Sequence, residues 1–300
     1  MKVTILGMGS IGSLLCHYFI ANNIEVCVAP TKHFPANTNM TYTFSFSELN
    51  GKTVLHKTPM ATNQYLAETD ILICALKSYH CCSGIAEVLG RISQTCTILL
   101  TNNGLGVAEE LQDKLEITNP VYAMLITMAA KRLTSRHTIH TGNGSNQLGA
   151  IQNSNQSNGN ALFKTLNKAI PDVIISDDIT KSQWTKLAVN SVINPLTAIE
   201  NVLNGELTQA KYQNTINVLI DEFIAVADAC NILFKHDELK HLISTVMTNT
   251  AKNSSSMRED VLAKRKTEVD YISGFIERMG RTHNIATPAH SLLLQKVKAL

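Results

Sequence analysis

A chain of 300 residues with 44% hydrophobic and 17% charged residues has the composition of a globular protein, and is long enough to fold as two domains. No window approaches the roughly 18 to 20 unbroken apolar residues of a membrane span, and no small-residue cleavage site follows the short apolar start, so the cytoplasm is expected and a membrane is not. A formal net charge of +2, with acids and bases mixed along the chain, offers no basic stripe for a phosphate backbone, and nucleic acid is not an expected partner.

The first apolar run, Val3 to Leu6, has the length of a strand and leads directly into Gly7-Met8-Gly9-Ser10-Ile11-Gly12. A helical pattern from Ser13 to Ile20 follows and closes on the polar turn Ala21-Asn22-Asn23. Strand, glycine loop and helix in this order form a dinucleotide-binding βαβ start. The first glycine makes the turn, the second lets a pyrophosphate approach the backbone, the third lets helix pack on strand, and the helix N-terminus attracts the anion. The second strand, Glu25 to Val28, runs into Ala29-Pro30-Thr31-Lys32-His33. Sites selective for NAD place a carboxylate there to accept hydrogen bonds from the ribose 2′-hydroxyl. None is present, whereas Lys32 and His33 are suited to a 2′-phosphate, so NADP is the expected cofactor.

Further strands are read at Asp70 to Leu76, Thr97 to Leu100 and Val121 to Ile126, with amphipathic stretches between most of them. That alternation predicts an α/β domain built on a parallel sheet. The seven cysteines, at positions 16, 27, 74, 81, 82, 96 and 230, include no Cys-x-x-Cys pair and read as small core residues of a reducing compartment. Cys81-Cys82 beside His80 is the one cluster with ligand chemistry, but adjacent cysteines cannot both point at one metal without further ligands, and no metal is expected. Asn143 to Asn160, rich in Asn, Ser, Gly and Gln, reads as turns and an exposed loop, and Pro171 to Ser176 as a last strand.

From Asp177 the pattern changes to long 3.6-residue periods over Trp184–Ile199, Gln209–Ala229, Asp237–Thr248 and Val269–Arg281, with almost no strand signal. The expected division is therefore 1–176, a Rossmann-type parallel-sheet domain, and 177–300, an all-helical domain. On the first helix of the second domain Lys186, Asn190 and Asn194 fall at i, i+4 and i+8 and form one ridge among aliphatic residues. A lysine and two amides packed against a core would be costly, and a solvated stripe would feature Glu, Lys and Arg rather than Asn. The ridge therefore reads as the wall of a cleft for a polar ligand. Beyond it, Ser254-Ser255-Ser256 precedes a helix-like stretch with Ser256 placed as an N-cap. Thr267 with Asp270 resembles a capping box that puts Glu268 in the first turn of a new helix.

These residues are similar, in order and spacing, to the ketopantoate reductases (2-dehydropantoate 2-reductases), and the resemblance runs nearly end to end. It is carried most specifically by Lys186-Leu187-Ala188-Val189-Asn190-Ser191-Val192-Ile193-Asn194-Pro195-Leu196-Thr197-Ala198 and Asn204-Gly205-Glu206-Leu207. The glycine loop, Ala75-Leu76-Lys77, Asn102-Asn103-Gly104-Leu105-Gly106, Ser255-Ser256-Met257 and Thr267-Glu268-Val269-Asp270-Tyr271 support it.

The resemblance implies a Rossmann domain followed by a helical domain like the C-terminal part of 6-phosphogluconate dehydrogenase. It implies an oxidoreductase that reduces 2-dehydropantoate to (R)-pantoate with NADPH, in pantothenate and coenzyme A synthesis, as a monomer or homodimer. Carried over, Lys186 donates the proton to the ketone oxygen, and Asn190, Asn194, Asn204 and Ser256 contact the substrate. Gly7 to Gly12, Lys32, Lys77, Asn103, Ala130 and Glu268 lie on the cofactor side or at the domain junction. Two positions depart from the family: Thr31 stands where arginine commonly grips the 2′-phosphate, and Met128 where histidine is common. A related 2-keto or 3-hydroxy acid reductase, and a non-catalytic NADP-sensing protein, are the competing readings.

Overall fold

The computed structural model describes residues 1–31, 41–153 and 156–300. The chain divides into two units, one of residues 1–102 and 107–180 and one of residues 103–106 and 181–300.

The first unit runs β1 (Val3–Leu6), α1 (Ser10–Ala21), β2 (Val26–Val28), β3 (Thr41–Ser47), β4 (Thr53–Pro59), α2 (Asn63–Ala67), β5 (Ile71–Cys74) and α3 (Ser78–Leu89). It continues through β6 (Thr97–Leu100), α4 (Val107–Leu115), β7 (Val121–Ile126), β8 (Ala129–Thr134), β9 (His137–Gly142), β10 (Asn146–Gln152), α5 (Gln156–Ala169) and β11 (Val173–Ile175). Its main sheet has the order β11-β10-β7-β6-β5-β1-β2. From β7 to β2 all pairings are parallel, and β1, β5, β6 and β7 are buried along their whole length. Unbroken apolar runs, rather than alternating ones, suit strands covered on both faces.

Two features depart from the expected sheet. The polar stretch after Asn143 is not a loop: Asn146–Gln152 forms β10, antiparallel to β7, and α5 follows it. Asn146 fixes this strand by donating from Nδ2 to the Pro171 carbonyl at 2.9 Å. That bond gives the buried amide nitrogen of Asn146 a backbone acceptor, so this polar residue can open a strand. The second departure is a four-stranded sheet, β4-β3-β9-β8, in which β3 and β9 are parallel.

The second unit is helical: α6 (Ile179–Glu200, whose first two residues belong to the first unit), α7 (Ala210–Ala229), α8 (His236–Asn249), α9 (Ser256–Leu262), α10 (Ser273–Thr282) and α11 (Pro288–Lys298), with 3-10 turns at Asn204–Thr208 and Val269–Tyr271. Trp184 centres its core, with ring centroids 5.8 Å from Phe223 and 5.7 Å from Phe275. Val269 to Arg281 is not one helix, because Ile272 breaks it at φ −108°, ψ −91°. The unexpected α11 opens with Pro288 at its first turn, and the Glu222 carboxylate of α7 accepts from the Ala289 and His290 amides at 2.8 and 3.0 Å. An acidic cap of this kind satisfies the orphan donors of a helix start. Among the described residues no helix is long and apolar enough to cross a membrane.

Candidate active site

The glycine loop of the first unit has the geometry of an anion cradle. Gly7 sits at φ +103°, where a Cβ would meet the Ala75 carbonyl at 2.9 Å, so only glycine makes this turn without strain. A Cβ on Gly12 would lie 1.9 Å from the Gly7 carbonyl oxygen, so the third glycine is what lets α1 close on the loop. A Cβ on Gly9 would meet nothing within 4 Å among the described residues. It is also the N-cap of α1, which has neither a side-chain cap nor an acidic residue in its first turn. An uncapped helix start behind an open glycine is suited to a pyrophosphate. Met8 is buried in the core, while Ser10 and Ile11 begin the helix, half-buried.

Around this loop, Lys77 is the N-cap residue of α3 and is half-buried. Thr31 stands past the end of β2, half-buried, and Lys32 and His33 lie outside the described residues. Ala130 is on β8, opposite His140 in the small sheet, and packs against the core that also holds Leu14 and Leu15 of α1. Met128, read from the sequence as a pocket position, is a buried member of that same core.

The second unit gathers Lys186, Asn190 and Asn194 on α6, half-buried at the first two and buried at the third. Burial lowers the pKa of Lys186 from its ordinary 10.5 to about 8, with the Glu268 carboxylate acting in the opposite direction. Glu268 is buried and its Oε2 accepts from Asn103 Nδ2 at 3.4 Å. It occupies the N-cap position of the Val269–Tyr271 turn, not the first turn of a long helix. Thr267 Oγ1 accepts from the Val269 amide at 3.4 Å, so the expected capping box is not made. The Asn103 loop is held to the same turn: Leu105 N donates to the Tyr271 carbonyl at 2.9 Å, and Gly104, at φ +77°, leaves no room for a Cβ beside that carbonyl.

Asn204 is buried at the start of its 3-10 turn, where its Nδ2 donates to Thr250 Oγ1 at 2.9 Å and its Oδ1 has no partner among the described residues. Ser256 is exposed as the first residue of α9. The N-cap is Ser255, one residue earlier than expected, and its Oγ accepts from the Arg258 amide at 3.1 Å. The sequence reading passed over Thr197, which is buried and meets Ser255 Oγ at 2.7 Å. At 100° per residue, Thr197 lies within the angular sector of Lys186, Asn190 and Asn194. The signal was an eleven-residue offset from Lys186, hidden because threonine passes for core among aliphatic residues.

Cys81 is buried with its thiol against the Leu76 and Lys77 carbonyls, at 3.7 and 3.5 Å. Among the described residues no group of three or more His, Cys, Asp or Glu side chains is placed to hold a metal.

A ketopantoate reductase PanE/ApbA family model matches residues 3–153, and the C-terminal model of the same family matches residues 178–300. The 2-dehydropantoate 2-reductase of Salmonella typhimurium is 33% identical, over 99% of this chain and 94% of that protein. The Vibrio cholerae enzyme of the same name is 30% identical, over 100% and 98%. Among solved structures, a ternary complex of D-mandelate dehydrogenase with NADH and anilino(oxo)acetate shares the fold, with a TM-score of 0.86 at 22% identity over 100% of this chain and 98% of that one. A probable 2-dehydropantoate 2-reductase of Bacillus subtilis superposes with a TM-score of 0.81 at 25% identity, over 100% and 99%. With its two halves matched in order and relatives aligned over nearly their whole length, the chain belongs to the ketopantoate reductase family.

Proposed function

We infer that this chain reduces 2-dehydropantoate to (R)-pantoate, with NADPH as its cofactor and Lys186 as the proton donor. The observation that carries this reading is a half-buried lysine whose pKa is lowered to about 8, on one helical face with Asn190 and Asn194. A reduced nicotinamide dinucleotide supplies hydride to the ketone carbon. Negative charge then builds on the ketone oxygen. A positioned ammonium stabilises that charge and supplies the proton, and a pKa near neutrality matches the donor to the task. Asn190, Asn194, Asn204 and Ser256 bind the rest of the keto acid. The Oδ1 of Asn204, without a partner among the described residues, is a buried acceptor, which a donor group on the substrate would satisfy.

Residues 1–176 are assigned to the cofactor and residues 177–300 to the substrate. Gly7 to Gly12 take the pyrophosphate, while Lys77, Asn103, Ala130 and Glu268 line the cofactor side. NADP is favoured because no carboxylate follows the second strand and Lys32 supplies a cation for the 2′-phosphate, though as a point charge without the two-pronged geometry of arginine. The enzyme is placed in the cytoplasm as a monomer or homodimer; a related ketopantoate reductase of Staphylococcus aureus is described as dimeric.

The test is oxidation of NADPH and NADH at saturating 2-dehydropantoate, by the wild-type protein and by Lys32→Ala. Consumption of NADPH in preference to NADH, with that preference reduced in the variant, is expected. No turnover on 2-dehydropantoate overturns the reaction, and equal rates with both cofactors overturn the NADP assignment alone. Turnover of other small 2-keto acids at matching rates would point to a broader keto acid reductase.

A further inference from the structure

We propose that Thr197 is a positioning residue for the substrate site, setting the start of α9 and hence Ser256 through its contact with Ser255. The proposal rests on the functional reading above. Thr197 is fully buried, and its hydroxyl reaches three groups: Ser255 Oγ at 2.7 Å, the Ile193 carbonyl at 2.8 Å and the Asn194 carbonyl at 3.0 Å. One side chain thus joins the peptide of a ridge residue, Asn194, to the residue immediately before Ser256. The join falls where α6 is short of a backbone bond, since Pro195 has no N–H to give the Ser191 carbonyl.

The segment from Thr250 to Ser255 is held at its other end as well. Thr250 Oγ1 accepts from Asn204 Nδ2, and the Asn204 amide donates to the Asn253 carbonyl at 3.1 Å. Two hydroxyls, Thr250 and Thr197, therefore link one short connection to two residues of the proposed substrate set and leave Ser256 exposed at its end. A buried hydroxyl pair whose only task was to cap α9 would not need Thr197, because Ser255 already accepts the Arg258 amide at 3.1 Å.

The test is steady-state kinetics on Thr197→Val, Ser255→Gly, their double variant and Thr197→Ser, with melting curves for each. Glycine is tolerated at an N-cap nearly as well as serine, so Ser255→Gly removes the contact while keeping the helix start. Each single variant is expected to raise KM for 2-dehydropantoate about five- to tenfold, the effect of one hydrogen bond. Cofactor affinity and kcat are expected to stay close to wild type. The double variant should be no worse than either single, because both remove one contact, and Thr197→Ser should retain the wild-type KM. An unchanged KM in folded Thr197→Val or Ser255→Gly, increments that multiply, or a Thr197→Ser as impaired as Thr197→Val overturns the proposal. If Thr197→Val fails to fold, Ser255→Gly decides alone. A wild-type protein inactive on 2-dehydropantoate would overturn the functional reading and this inference together, whereas wild-type turnover with unchanged KM in the variants overturns only this inference.

Discussion

The carboxylate of Glu268 supports the charged form of Lys186 against burial: burial draws the lysine pKa down to about 8, and the charge of Glu268 holds it from falling further. Glu268 is itself kept in place by Asn103. If Lys186 must be charged to give its proton, kcat/KM for 2-dehydropantoate falls as pH rises through about 8. Glu268→Gln removes the opposing charge, so the falling limb moves to lower pH. A pH profile of both proteins at saturating cofactor checks this, and a limb that stays in place would mean that another group sets it.

Lys186→Ala separates chemistry from binding. Removing a general acid costs about 10²- to 10⁴-fold in kcat, whereas the glycine loop belongs to the other unit and is left intact. Cofactor affinity, read from nicotinamide fluorescence, is expected to stay close to wild type. Parallel loss of both would show that the lysine has a structural task instead.

The three glycines of the loop differ in what they tolerate. Gly12→Ala places a methyl group 1.9 Å from the Gly7 carbonyl oxygen, so α1 cannot close on the loop and the melting temperature falls by several degrees or the protein is lost from the soluble fraction. Gly9→Ala meets nothing within 4 Å among the described residues. It should melt like wild type yet bind the dinucleotide about tenfold more weakly or worse, because the methyl group fills the approach to the helix start. Melting curves with and without cofactor distinguish the two.

The parts legible in the sequence were those with one dominant signal. Buried parallel strands read as apolar runs, the glycine loop as spaced glycines, and α6 as a polar ridge on an aliphatic helix. Harder elements had mixed composition. β8 is exposed along most of its length and carries Lys131 and Arg132, so it has no buried face to mark it as a strand. β10 hides behind a polar composition: Asn146, which opens it, is fully buried and donates to the Pro171 carbonyl 25 residues away. In the site, Lys186 and its two asparagines were visible because they are polar among apolar neighbours. Thr197 was not, because its role depends on Ser255, 58 residues away. Glu268 was legible as a residue but not in its setting, since its neighbour Asn103 is 165 residues distant.

A histidine pair in the first unit makes folding sensitive to acid. His17 on α1 is buried, stacks on Phe46 with centroids 4.2 Å apart, and shares a hydrogen bond with His56 of β4, Nδ1 to Nε2 at 2.9 Å. Burial first, then the neighbouring His56, lower its pKa to about 4; Glu48, with Oε1 at 3.9 Å from Nε2, partly offsets them, while His140 and Lys52 add to the lowering. The His56 pKa is lowered too, again by burial. His17, Glu48 and His140 also line a pocket of about 390 Å³. Unfolded histidine takes up a proton near pH 6.5, so from about pH 6.5 down to about pH 4 the unfolded chain binds protons that the folded pair refuses, and stability falls across that window. Urea midpoints measured from pH 7.5 to pH 5 should decline. In His17→Leu the decline should be shallower from a lower starting midpoint, because the titrating group is gone but His56 has lost its partner. An equally steep decline in the variant would show that the destabilising protons enter elsewhere.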